Sequence, residues 1–188
     1  MTVEPDFEDS IEQPDLLWMF RYWAGRAPGS GLLPGRQHID PVDFPSFLPR
    51  IALIEVLREG GAESPSGFRY RLTGTEIVDR AGRDPTGKRF DDLYAGDYLV
   101  QALETYRAIV EARRPNYSRR TFPLIEGREH LEYTRLILPL AGDGTLVDML
   151  CLVTADLERV NEDDLPPLPL PTDKEQTRRL LKKGRPAP

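Results

Sequence analysis

The segment GRDPTGKR, Gly82 to Arg89, holds a glycine, four residues and then Gly-Lys, the spacing with which a phosphate-binding loop begins. A working loop of that kind follows a buried strand, opens a helix and has Ser or Thr after the lysine to hold magnesium. Here the helical pattern EIVDRA precedes Gly82, Arg89 stands where the hydroxyl belongs, and Asp84 and Pro85 bring a charge and a missing amide donor. The glycines are therefore read as turn formers between short helices, with Lys88 and Arg89 left as candidate anion contacts at a cavity mouth.

Other residues able to do chemistry are sparse. Two isolated histidines, His38 and His130, and one cysteine, Cys151, offer no metal-ligand spacing. No nucleophile, base and acid suggest a catalytic set, so the expectation is a protein that is not an enzyme. The arginines are more numerous. Arg69 and Arg71 share one face of a strand, Arg119 and Arg120 straddle the next, and Arg135 sits in another. They read first as solvated outer-face positions that protect a sheet from aggregation. The sharper reading makes Arg69, Arg71, Arg119 and Arg135 a surface for an anion or an acidic partner, covered by the chain's own acidic leader. The aromatics Phe68, Tyr70, Phe90, Tyr106 and Tyr133, with Cys151, are the candidate lining of a small ligand cavity, the hydroxyls acting as orienting groups. The plainer reading lets those rings fill the core, with Cys151, between Leu150 and Leu152, a buried structural thiol.

These residues need elements to hold them. PDLLWMFRYWAG, Pro14 to Gly25, is predicted as a helix, with proline in its first turn and glycine at its end. It is apolar almost all round, so one face is expected on the chain's own core and the other on a second copy, through Leu16, Trp18, Met19, Phe20, Tyr22 and Trp23. Prolines at 34, 41, 45 and 49 predict an ordered loop with a helical turn near Val42 to Leu48. IALIEVLR, from Ile51, reads as a strand covered on both faces. FRYRLTGT alternates, Phe68, Tyr70 and Leu72 against Arg69, Arg71 and Thr73, and makes a hairpin with it. A short helix over Glu76 to Ala81 and a long one from about Asp97 to Arg114 follow, the latter ended by Pro115. Three more strands are predicted over residues 117–124, 131–140 and 145–156. Strands, then helices, then strands give an α+β fold, an antiparallel sheet with helices on one face and an N-terminal capping helix.

The ends differ in character. Residues 1–14 form an acidic leader, 15–157 the domain, and 158–188 a proline-rich and basic tail. In that tail LPPLPLP reads as a spacer before a polyproline ligand, and RRLLKKGR as solvated before a membrane or nucleic-acid contact. The net charge of −6 argues against a nucleic-acid-binding or membrane-surface protein, and the acidic start is unlike a signal peptide. A single cysteine fits a reducing compartment and a cytoplasmic location.

The order of elements resembles a PAS domain: five antiparallel strands, with short helices and one long helix between the second and third. The residues that carry the likeness are Tyr22-Trp23 closing the leading helix, PGRQHIDP (34–41), FPSFLPRIALIEV (44–56) and FRYRLTGTEIV (68–78) followed by GRDPTGKRFDDL. They resemble one family of small bacterial single-domain PAS proteins, over roughly residues 15 to 156. The resemblance implies a sensor or regulatory module, usually a homodimer, that acts on a signalling partner, with any ligand held between the sheet and the helical side. No kinase, cyclase or DNA-binding pattern accompanies it here, so action through protein contacts is expected. Haem is disfavoured, because neither histidine falls on the long helix where haem-binding relatives carry theirs. Covalent flavin is disfavoured too, because Cys151 lies in the last strand. The alternative is a small-molecule enzyme on a cone-shaped curved sheet, for which Glu55 and Asp148 are the acidic residues inside apolar strands.

Overall fold

Pro14 enters the first turn of a helix without loss, because its missing N–H has no partner there in any case. In the computed structural model, which describes residues 5–121 and 132–155, that helix is α2, Pro14–Gly25, preceded by one turn, α1, Pro5–Asp9. The expected proline-rich loop folds as three short 3-10 turns, Arg36–His38, Pro41–Asp43 and Pro45–Arg50, since each proline removes a donor that a longer helix would need. Strands β1, Ile51–Leu57, and β2, Gly67–Thr73, then form a hairpin. The chain crosses the sheet through α3, Thr75–Ala81, α4, Phe90–Leu93, and α5, Gly96–Ala112. Strands β3, Asn116–Thr121, β4, Glu132–Leu140, and β5, Met149–Thr154, return it.

All pairings are antiparallel and the sheet order is β2-β1-β5-β4-β3, so the helical crossover links the two edges and β5 closes the centre beside β1. The last strand is shorter than the sequence suggests. The Asp143 carboxylate accepts the N–H groups of Thr145 and Leu146, which commits those residues to a turn instead of a ladder.

Helices α3, α4 and α5 cover the inner face of the sheet. The outer face is covered by α2 and the 3-10 turns. Both sides of α2 are occupied by the chain itself, which corrects the expectation of a free dimer face. Leu16, Trp18, Met19, Phe20, Tyr22 and Trp23 are all buried. Trp18 stacks on Phe47 at 5.2 Å and Tyr22 meets Phe44 edge-on at 5.0 Å, both partners coming from the proline-rich loop. On the other side the Trp23 indole donates to the Pro139 carbonyl at 2.9 Å. The second surface the helix required was supplied by its own loop. The leader is also engaged: Phe7 packs on Phe20, Ile11 is buried, Glu8 pairs with Arg21 at 2.7 Å, and the Tyr117 hydroxyl bonds Gln13.

Two glycines are needed by geometry. A Cβ on Gly74 would lie 2.3 Å from the Pro49 carbonyl, so the end of β2 can pass the loop only as glycine. Gly82 ends α3 at φ 66°, in the left-handed region. Among the described residues no helix is long and apolar enough to cross a membrane. The predicted tail, 158–188, lies outside the described residues.

Candidate functional site

In a strand, side chains alternate between faces, so strand register decides which residues meet. Ile54 pairs with Tyr70, Leu152 with Ala52 and Ile137, and Arg135 with Thr154 and Ser118, which puts all of these on the inner face. Arg120, opposite Tyr133, follows on the same face. Residues 98, 101, 102, 105 and 106 of α5, three or four apart, form the stripe that looks back at them. Between the two layers lies a cavity of about 90 Å³.

Four of the predicted lining residues are there: Tyr70, Phe90, Tyr106 and Tyr133. Phe68 sits behind them as filling, 5.6 Å from Phe90 and 5.4 Å from Tyr106 between ring centres. Cys151 does not belong to the group. It pairs with Leu53 and Leu138 and faces the opposite side of the sheet, in an apolar groove under Leu53 and Leu72. Burial raises its thiol to about 12. The reason is parity: Leu150 and Leu152 point inward, so the residue between them cannot.

The proposed arginine surface is divided by the sheet. Arg69 lies on the outer face and pairs with Glu55 at 2.5 Å. Arg71 is exposed at a bulge, where the β1–β2 register slips between Leu53 and Ile54. That slip also turns Leu72 outward, 47% exposed and opposite Leu53, against the alternation that predicted it beside Tyr70. Arg119 is exposed on the outer side of β3, whereas Arg135 is buried on the inner side of β4. Only Arg135 reaches the cavity, and Arg80, Arg83 and Arg120 join it.

The cavity wall is rich in donors. The Tyr70 and Tyr94 hydroxyls share a hydrogen bond of 3.0 Å. Arg80 pairs with Glu76 at 3.1 Å and reaches the Thr154 hydroxyl at 3.4 Å. Arg83 donates to the Leu93 carbonyl at 2.8 Å, and Arg120 to the Thr105 hydroxyl at 3.3 Å. Arg135 donates to the Ser118 and Tyr106 hydroxyls, each at 3.3 Å, and its guanidinium carbon lies 5.5 Å from the Tyr106 ring centre. Burial pushes the phenols of Tyr70, Tyr94, Tyr98 and Tyr106 upward, so they stay protonated donors at neutral pH.

Of the residues left out of the predicted lining, Tyr98, Thr105 and Arg120 carried a signal. The helical period aligns Tyr98 and Thr105 with Tyr106, and strand alternation separates Arg120 from Arg119. Arg80 and Arg83 carried none, because their position depends on where α3 packs. GRDPTGKR lies along the β2 edge: the Gly87 N–H donates to the Tyr70 carbonyl at 2.7 Å and the Tyr70 N–H to the Lys88 carbonyl at 3.0 Å. Arg89 pairs with Asp91 at 2.9 Å, and the segment's contribution to the cavity wall is Arg83 and Pro85. His38 accepts the Gly35 N–H at Nδ1 in the outer loop, and His130 lies outside the described residues. No cluster of metal-ligating side chains occurs among the described residues. Glu55 is on the outer face, and Asp148 takes the Gly142 N–H at 3.0 Å in the last hairpin.

The family profile described as "PAS domain" matches residues 11–154, and the chain belongs to that family. This also sets aside the cone-shaped enzyme fold. No curated protein matches the chain. Among solved structures it is similar to a domain of an HTR-like protein from Haloarcula marismortui, at 18% identity over 58% of this chain and 98% of that one, TM-score 0.36. It is similar also to the LOV protein of Rhodobacter sphaeroides, at 15% over 67% and 73%, TM-score 0.41, and to the PAS domain of the histidine kinase ThkA, at 14% over 56% and 99%, TM-score 0.38. PAS domains are in general sensory and regulatory modules that commonly dimerise and act on signalling partners.

Proposed function

We propose that this PAS protein is a non-enzymatic sensor that holds a small ligand between α3–α5 and the sheet and passes its occupancy to a partner protein by contact. The observation that carries this reading is the construction of the cavity wall. The polar links between the helical layer and the sheet run through it: Tyr94 to Tyr70, Thr105 to Arg120, Arg80 to Thr154 and Tyr106 to Arg135. A molecule entering there competes for those hydrogen bonds, and a shift of α5 against the sheet changes the surface offered to a partner. Any dimer has to use a surface other than the six buried residues of α2.

Native mass spectrometry of the chain purified from its source cell tests the proposal, together with hydrogen exchange before and after the carried molecule is removed. The expected result is a bound small molecule whose removal raises exchange in α3–α5 and leaves α2 unchanged. A chain that emerges empty, with α3–α5 as protected as α2, would sink the reading.

A further inference from the structure

Arg135 is 6% exposed, and among the described residues its contacts are two hydroxyls and a ring, with no ion pair. Its guanidinium has five N–H donors. It spends two of them on the hydroxyls of Ser118 and Tyr106 at 3.3 Å, long beside the ~2.7–2.9 Å of a charge-assisted bond to an anion. A buried cation without a counter-charge is costly to keep. The wall around it contributes three further arginines and, among the described residues, no Asp or Glu. Arg80 is already neutralised by Glu76, and Arg83 is held by the Leu93 carbonyl. Arg120 resembles Arg135 in being poorly satisfied: its Nε is buried and has no hydrogen-bond partner.

Strand register sets these two arginines side by side. Ser118 pairs with Arg135 and Arg120 with Tyr133 on the inner face, so Arg120 and Arg135 are diagonal neighbours, about 7–8 Å apart at their backbones. Both guanidinia can grip one oxyanion from adjacent strands. The rest of the wall suits a carbon body, with the Phe90 and Tyr94 rings, Ile77, Ala102 and Leu152 beside the phenol donors. At about 90 Å³, against the ~30 Å³ a water occupies in the liquid and the ~300–1,000 Å³ of a drug-sized pocket, the cavity suits a small occupant. A nucleotide is too large for that space, and a bare inorganic ion would leave the apolar wall unfilled.

We infer that the cavity is a receptor for a small carboxylate whose body is a single ring or a short chain, with Arg135 pairing the carboxylate and Arg120 assisting. The inference rests on the reading of the cavity as a ligand site and adds the charge and size of the occupant.

The test uses the full chain and four probes at fixed ionic strength: benzoate, hexanoate, inorganic phosphate, and benzamide as the neutral counterpart of benzoate. Binding is read by calorimetry and by the NMR signal of the Arg135 Nε–H. Benzoate or hexanoate is expected to bind at least tenfold more tightly than benzamide and to shift that signal. Arg135→Met is expected to lose at least tenfold in carboxylate affinity while melting no lower than the unmodified chain when ligand is absent. Arg120→Gln, which keeps Arg135, is expected to lose less. Benzamide binding as well as benzoate overturns the anion inference and leaves the sensing reading standing. Phosphate binding as well as benzoate overturns the carbon body. If neither carboxylate binds at millimolar concentration the inference fails, and the sensing reading is then judged separately by whether the purified chain carries a neutral molecule.

Discussion

Arg50 and Arg135 are buried to nearly the same degree, at 3% and 6% exposure, on opposite sides of one sheet, and the fold treats them differently. Arg50 meets the equally buried Asp15 at 2.5 Å, donates to the Thr154 carbonyl at 3.1 Å and lies over the Phe47 ring at 5.0 Å. Its charge is matched inside the chain, and the match ties the start of α2 to the sheet and to the proline-rich loop. Arg135 has hydroxyls and a ring but, among the described residues, no carboxylate. The outer face is thus finished by the chain's own residues, whereas on the inner face no described carboxylate pairs with the cation.

The largest effect expected from this contrast is on the finished side. Asp15→Ala strands the Arg50 guanidinium in a dry environment and should cost about 3–5 kcal/mol of stability. Urea denaturation measures it, and Asp15→Ala combined with Arg50→Met should recover a substantial part of the loss. A single variant within experimental error of the unmodified chain would mean that the pair is solvated and that the contrast with Arg135 is false.

How much of this contrast the sequence held depends on parity. The α+β order, helix α2 with its ends, the β1–β2 hairpin, α3 stopped at Gly82 and long helix α5 all followed from proline, glycine and apolar period, which are local signals. What covers α2 was not local: Phe44 and Phe47 lie in a loop whose prolines announce only that it is irregular. The bulge that turns Leu72 outward leaves no mark in FRYRLTGT, where alternation runs on unbroken. Cys151 must alternate with Leu150 and Leu152, but all three are apolar, and only the pairing with Leu53 and Leu138 shows which of them faces the helices. Arg135 was visible as an arginine in an apolar strand, and only three dimensions show that no described carboxylate pairs with it.

A second effect separates the faces by pH. Tyr70 and Tyr106 are buried on the inner face, and burial raises both phenols above their usual value near 10. The folded chain therefore holds these protons more tightly than the unfolded chain. Their contribution is complete below pH 10 and falls as pH rises above it, by up to about 1.4 kcal/mol per pH unit for each phenol. Urea midpoints at pH 8 and pH 11 should show the fall, and Tyr70→Phe with Tyr106→Phe should flatten it. An unchanged slope in the double variant would place the alkaline lability elsewhere.

Arg135→Met is the counterpart to Asp15→Ala, and on the empty protein it is expected to cost no stability, the change lying between zero and a gain of about 1 kcal/mol. Removing an unmatched buried charge removes a desolvation penalty along with two weak hydrogen bonds. A loss as large as that of Asp15→Ala would show that Arg135 serves the fold in the way Arg50 does.

The smallest effect is the sharpest check on which face is which. Cys151 is buried on the outer side of β5, and its thiol is pushed up to about 12, so at pH 8 almost none of it is thiolate. A thiol reagent should label the native chain no faster than the chain opens. Cys151→Ala should leave carboxylate affinity within about twofold, while Arg135→Met, whose Cα lies across the neighbouring strand, removes tenfold or more. The sheet separates the two side chains, so an equal loss from both variants would mean that the ligand does not occupy the inner cavity.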